Sequence, residues 1–284
     1  MLSRPNFVHL YRRSAKFGPR YLSAAAGGNI ICQTIASNSP LLHYKECEKY
    51  QLSLVEELRA EQRIKARECD TQLAGYILSL THSHCYTCGA HWTEDKDRHQ
   101  ILEALEHPLY NSKRGGKLVY HGPGQIIIYP ILNLECFNGI IDCLTDLINV
   151  ISGSVCEALS TMFGLRCYLK DFGIWTKLGD HNSEVGREFS KCKLGFIGLA
   201  RIDNFTYHGL ALNYDCDIKK YFKPILTCGA IDHRNIISLK DLLAIRNSKF
   251  PRKLLTLDER IRDDLSNRII FNLQNYLKSN EFII

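Results

Sequence analysis

The junction at Gly124 constrains this chain more than any other feature. The segment Lys113 to Pro130, KRGGKLVYHGPGQIIIYP, sets Gly115, Gly116, Gly122 and Gly124 around the pair Tyr120-His121. It then runs directly into Ile126-Ile127-Ile128. β-Branched residues fit a pleated, half-buried surface, so this glycine loop opens a strand. A dinucleotide fingerprint needs G-x-G-x-x-G opening a helix, and a Walker loop needs a glycine before Lys-Ser or Lys-Thr. Neither pattern is present. What the glycines do offer is close approach to the backbone by another group. Arg114 and His121 flank that approach.

Around this block, strand and helix patterns interleave. Tyr44 to Glu68 is rich in Glu, Lys, Arg and Leu without Gly or Pro, and predicts a helix with Leu54, Val55 and Leu58 on one face. Gly75 to Leu80 predicts a short strand. Lys117 to Tyr120 and Ile126 to Leu132 predict a strand pair joined through the His121 to Gly124 turn. Leu144, Leu147, Ile148, Ile151, Val155, Leu159 and Met162 recur at helical spacing, so Gly139 to Phe163 is expected as a core-packed helix. Leu165 to Leu169 and Gly173 to Thr176 are strand-like, and Gly179 to Ser190 is polar and loop-like. Lys193 to Ile202 and Phe205 to Asn213 predict a hairpin around Asp203-Asn204. Ser238-x-x-Asp241 has the form of a capping box, and Leu257 to Leu277 predicts a last helix. The expected class is α/β (α+β), a single domain with a central mixed sheet flanked by helices.

With 284 residues and 45% hydrophobic content, the chain can bury a full-size core. No stretch approaches the roughly 20 apolar residues of a spanning helix. The first 45 residues contain no Asp or Glu but carry Arg4, Arg12, Arg13, Lys16 and Arg20 among serines and alanines. That is the composition of a mitochondrial transit peptide. Residues 1–30 are therefore expected to be the leader, residues 40–284 the catalytic domain, and the mitochondrial matrix the destination. Without those five basic residues the balance of 36 Lys+Arg to 30 Asp+Glu becomes 31 to 30. The basicity thus belongs to the leader and does not argue for nucleic acid. The twelve cysteines are scattered, mostly inside apolar runs, as buried reduced thiols would be.

Two further clusters carry chemistry. His82, His84, Cys85, Cys88 and His91 are zinc-ligand types, but a lone C-x-x-C lacks the second ligand pair of a structural site, and no metal is expected. Cys228, in LTCGAIDH, is the cysteine least embedded in an apolar element. A nucleophilic thiol needs a cation or base nearby, and His121, His208, His233 and Lys193 are all available types.

At this point the motifs resemble a known family. RGGKLVYHGPGQIIIYPILNL resembles the signature R-G-G-x-x-x-Y/F-H-G-P-G-Q of the lipoyl(octanoyl) transferases, also called lipoate-protein ligase B, of the mitochondrial type. LTHSHCYTCG, GIWTK, KLGFIGLARI, YHGLALN and DIKKYFKPILTCG resemble its further blocks in order, from about Tyr44 to Leu239. The chain departs from the pattern at Thr227, where the family has proline, at Thr81, where it has glutamate, and at Gly195-Phe196, where it has small residues.

The resemblance implies the fold of biotin and lipoate protein ligases. It implies transfer of an octanoyl or lipoyl group from acyl carrier protein to a lysine of lipoyl domains, namely those of 2-oxoacid dehydrogenase complexes and the glycine cleavage H protein. Cys228 matches the family's acyl-thioester cysteine and Lys193 its partner lysine. Arg114, Gly115, Gly116, Lys117, Leu118, Val119, Tyr120 and His121, then Phe196, Ile197 and Gly198, then Gly209, Leu210 and Ala211 match the segments lining its acyl pocket. No cofactor is implied, because thioester exchange needs no ATP. The competing expectation is an ATP-dependent lipoate or biotin ligase on the same fold. Lys219, Lys220 and Lys223 are candidates for meeting an acidic carrier surface.

Overall fold

The computed structural model describes residues 20–24, 28–34, 41–65, 73–92, 102–177, 191–222, 236–249 and 257–278. In chain order these form strands β1 (Arg20–Ala24) and β2 (Gly28–Thr34), helix α1 (Tyr44–Lys65), and strands β3 (Leu73–Leu80), β4 (Cys85–Cys88), β5 (Leu109–Asn111), β6 (Leu118–His121) and β7 (Gln125–Leu132). Then come helix α2 (Leu144–Phe163), strands β8 (Cys167–Lys170), β9 (Gly173–Thr176), β10 (Cys192–Ile202) and β11 (Phe205–Asn213), the single turn α3 (Ile218–Tyr221), and helices α4 (Leu239–Lys249) and α5 (Glu259–Tyr276).

Eight strands make one mixed sheet in the order β1-β2-β3-β7-β11-β10-β9-β8. Only the β2–β3 pair is parallel in it. Both faces are covered, which explains why β7 is apolar throughout instead of alternating. Ile126, Ile128 and Leu132 pack toward one face, in the same core as Leu147, Ile151 and Val155 of α2 and Leu265, Ile269 and Leu273 of α5. Ile127, Tyr129 and Ile131 pack toward the other, with Leu54, Val55 and Leu58 of α1. Strands β5-β4-β6 form a separate small sheet. Its residues Tyr86, Leu118 and Tyr120 share a third apolar cluster with Phe196, Phe222 and Ile236. No helix among the described residues is long and apolar enough to cross a membrane.

Local signals set the helix ends. The α2 helix starts later than its apolar repeat implies, because Gly139 sits at φ +80° and Cys143 is the residue before the first turn. Asp146 accepts the Cys143 N–H at 2.9 Å, and Gly164 closes the helix at φ +62°. Ser238 Oγ accepts the Asp241 N–H at 3.1 Å at the start of α4, as its spacing predicts. Asp258 Oδ1 does the same for Ile261 at the start of α5.

Two expectations change. The predicted hairpin of β6 with β7 does not form. β6 pairs with β4, whereas β7 lies between β3 and β11. Gly124, at φ +84°, turns the chain from the small sheet to the large one, and its carbonyl accepts the N–H groups of Tyr214 and Asp215. The sheet also begins inside the basic N-terminal segment. β2 pairs with β3, and Ile30 is buried in the core, so the folded domain reaches N-terminal of residue 40. The predicted loop 179–190 lies outside the described residues, as does Cys228. The β10–β11 hairpin around Asp203-Asn204 forms as predicted, with Asp203 in the left-handed region at φ +52°.

Candidate active site

Where the small sheet meets the edge of β10 and β11, the structure encloses a cavity of about 360 Å³. One wall is the glycine block, with Arg114, Gly115, Gly116, Lys117, Leu118, Val119 and His121. A second is β10, with Lys193, Phe196, Ile197 and Gly198, and a third is β11, with His208, Gly209, Leu210 and Ala211. Tyr44 and Tyr129 complete the interior, and Lys170, Asp171, Phe172 and Trp175 also border it. All the pocket residues inferred from the resemblance are therefore brought together, except one. Tyr120 does not line the cavity. Its ring stacks on Tyr221 at 4.6 Å and its hydroxyl bonds His84 Nδ1 at 2.6 Å, so it packs the back of the small sheet.

Arg114 shapes the glycine loop. Its guanidinium is buried and gives every donor nitrogen to protein acceptors. Nε donates to Thr87 Oγ1, Nη1 to the Gly115 carbonyl, and Nη2 to the carbonyls of Thr87 and Lys117 and to Thr87 Oγ1. Arg114 is thus a staple that fixes the loop, and its nitrogens are already engaged. The loop is also laced to Gly89, Ala90 and His91 through backbone bonds. A side chain on Gly89 would sit 2.8 Å from the carbonyl oxygens of Arg114 and Gly115. The Cys-Gly-Ala-His end of the metal-like motif therefore seats the loop. His82 spends both ring nitrogens, with Nδ1 on the Leu42 carbonyl and Nε2 on the Tyr129 hydroxyl. Burial holds its pKa down to about 4, so it is neutral, and the carbonyl partner requires the proton on Nδ1. Cys85 is a buried thiol with its pKa pushed up to about 12. Cys88 donates to Asn111 Oδ1 at 2.8 Å.

Lys193 is buried within the cavity wall. The β10–β9 register shifts between Lys193 and Gly195, a bulge that re-aims the lysine. Gly173, facing it on β9, leaves the room. A methyl there would overlap Lys193 Cε and lie 3.0 Å from Nζ. The ammonium nitrogen lies 4.5 Å from the centre of the Phe196 ring and 5.5 Å from that of Trp175. Burial lowers the pKa of Lys193 to about 8, with Asp171 opposing the shift. An amine poised there gives up or takes a proton near neutral pH.

The β11 wall carries a polar cluster. His208 sits at φ +62°, unusual for a side chain of its size. Its Nε2 lies 3.3 Å from Ser112 Oγ and 3.6 Å from Glu48 Oε1, and Tyr44 donates to Ser112 at 2.9 Å. Burial lowers the pKa of His208, and burial lowers that of His121 strongly. The sequence reading named His208 among available bases but not as pocket lining, and missed Tyr44, Tyr129 and the 170–175 edge. Tyr129 ends the quoted apolar run and Trp175 lies in the GIWTK block. Tyr44 has no local signal, since it reaches the site only because α1 packs across the sheet.

Cys228 lies outside the described residues, yet both flanks of its segment are anchored here. Phe222 stacks on Phe196 at 5.8 Å, and Ile236 bridges Lys193, whose carbonyl accepts the Ile237 N–H at 3.1 Å.

A family model described as the lipoyl protein ligase A/B catalytic domain matches residues 50–256. Among curated relatives, the octanoyltransferase of Orientia tsutsugamushi (strain Boryong) is 33% identical over 168 residues, covering 59% of this chain and 73% of the relative. The octanoyltransferase of Rickettsia rickettsii (strain Sheila Smith) is 33% identical over 183 residues, covering 63% and 80%. Among solved structures, lipoate-protein ligase A bound with ATP superposes with a TM-score of 0.48 at 13% identity, covering 87% of this chain and 84% of that one.

Proposed function

Since the chain belongs to the lipoyl protein ligase A/B catalytic-domain family and is an octanoyltransferase, we propose that it moves an octanoyl or lipoyl group from acyl carrier protein to a lysine of lipoyl domains through a thioester on Cys228. The observation that carries this reading is Lys193, a buried amine with its pKa near 8 in the wall of an apolar cavity. In the first step the Cys228 thiolate attacks the donor carbonyl. A new C–S bond forms, the carrier's C–S bond breaks, and the carrier thiol leaves with a proton. Lys193 as ammonium favours that thiolate. In the second step the acceptor amine attacks the acyl-enzyme. The amide C–N bond forms, the Cys228 C–S bond breaks, and the amine's proton passes to the Cys228–Lys193 pair. The segment that carries Cys228 leaves and rejoins the described fold at Phe222 and Ile236, beside Phe196 and Lys193 of the cavity wall, and this supports the pairing of Lys193 with that segment.

The ATP-dependent alternative finds no support in the glycine loop, whose one arginine is spent on protein acceptors. The donors named are octanoyl carrier proteins, and the acceptors the lipoyl domains of 2-oxoacid dehydrogenases and the glycine cleavage H protein. Intact mass after incubation with octanoyl carrier protein, without ATP, should show one octanoyl adduct. Cys228→Ser should show none and should not label a lipoyl domain. Persistent transfer by Cys228→Ser, or a strict need for ATP, would refute the thioester route. We place the protein in the mitochondrial matrix on the acid-free basic segment. A fluorescent fusion of the first 30 residues that stays in the cytosol would count against that address.

A further inference from the structure

The β8–β9 hairpin closes on only two residues, Asp171 and Phe172, since Lys170 pairs directly with Gly173. Both sit in the left-handed region, at φ +46° and +52°. A two-residue turn of this hand is the usual place for Asn-Gly, because side chains larger than Asn or Asp are crowded there. Phenylalanine is among the least suited occupants. Nor does burial explain it. Phe172 is 60% exposed, the most exposed large apolar side chain among the described residues. The fold nevertheless holds the backbone of this turn in place. The Phe172 carbonyl accepts the Ile197 N–H at 2.8 Å, and the next residue, Gly173, packs against the Lys193 side chain. Phe172 belongs to the border of a cavity that is also lined by Leu118, Val119, Ile197 and Leu210. A strained, solvent-exposed aromatic pinned at an apolar cavity is costly unless something apolar comes to lie under it.

We infer that Phe172 is a specificity-determining cap, held over the cavity by the left-handed turn to cover the methylenes of a medium-length acyl chain. This rests on the acyl-transfer reading for the identity of the chain, and not for its geometry. Each methylene withdrawn from water is worth roughly fourfold in affinity, so a ring covering about two of them contributes on the order of tenfold.

The test is calorimetric binding of an unreactive octyl thioether of pantetheine to the full chain, beside thermal unfolding, for wild type, Phe172→Gly and Phe172→Leu. Phe172→Gly should bind about tenfold more weakly while unfolding a few degrees higher, because glycine adopts this turn freely. Phe172→Leu should retain most of the binding. In turnover, the advantage of octanoyl over hexanoyl donors should shrink in Phe172→Gly. Binding by Phe172→Gly equal to wild type overturns the inference, as does a wild type that does not bind the probe. A raised KM for the lipoyl domain with unchanged probe binding also overturns it, and makes Phe172 a protein contact. If wild type binds the probe and Phe172→Gly loses it, yet no transfer occurs, the cap stands and the transferase reading falls.

Discussion

Adding one methyl group at Gly173 tests the placement of Lys193 more sharply than deleting the lysine. Gly173 has no positive φ, so alanine suits its backbone and the effect is steric. The new carbon would overlap Lys193 Cε and lie 3.0 Å from both Nζ and the Gly195 carbonyl oxygen. Carbon atoms rest about 3.5–4.0 Å apart, so the lysine tail must move by more than about 1 Å. The tail can swing because it is flexible, so the cost in stability should fall at the low end of the roughly 1–3 kcal/mol typical of overpacking. The cost in catalysis should be larger. A misplacement of about 1 Å is worth around a hundredfold in rate, or about 2.7 kcal/mol in the barrier. Leaving its buried position also raises the lysine pKa from about 8 back toward its ordinary value. Gly173→Ala should therefore lose about a hundredfold in kcat/KM for octanoyl transfer, with the midpoint of its pH profile moved upward and its unfolding temperature lowered only a little. Activity within a few-fold of wild type, with an unmoved midpoint, would refute this account of the lysine.

Other outcomes follow from the same geometry. Gly115→Leu should fold, since its first side-chain atom meets nothing nearer than the Leu199 carbonyl at 4.0 Å. It should nonetheless block the acyl adduct; labelling at the wild-type rate would argue against this wall as acyl-lining. Gly116→Ala should instead destabilise, because Gly116 sits at φ +85°, and chemical denaturation would show it. Arg114→Met should lower stability by about 3 kcal/mol or more, because buried carbonyls of the loop lose a charged partner, and acyl binding should fail with it. Asp171→Asn should shift the transfer pH profile slightly to lower pH, because the lost carboxylate favours the Lys193 ammonium; the shift is small because Asp171 is well exposed to solvent. Lys193→Met should alter the pH dependence of stability. The buried ammonium weighs against folding fully below about pH 8, and that penalty disappears as the pH climbs toward 10.5. Wild type should therefore gain stability over that window relative to Lys193→Met in denaturant titrations.

Much of this site is written in short stretches. The run from Arg114 to Gln125 declares a glycine loop entering a strand, and the capping pattern at Ser238-x-x-Asp241 forms as spaced. The 3.6-residue repeat of α2 was legible because one of its faces is buried in a single core. Other features were not legible, for one physical reason each. Strand β6 turned away from β7 because β7 finds partners in β3 and β11, far off in sequence, and local turn chemistry says nothing about distant pairing. Tyr120 carries the same chemistry as a pocket tyrosine but faces Tyr221 instead of the cavity. Asp171-Phe172 looked like a gap between two strands, and only the backbone angles show it to be a constrained turn.

The sequence by itself determined the family, the class of chemistry and the glycine block that must admit something close to its backbone. Those properties lie in residue identity and local spacing, which survive without knowledge of contacts. The tertiary structure decided that Arg114 is a staple, that Lys193 is an amine poised near neutrality, and that Gly173 exists to make room for it. It decided these because the acidity of a lysine, and the purpose of a glycine, depend on what the rest of the chain brings within a few ångströms of them.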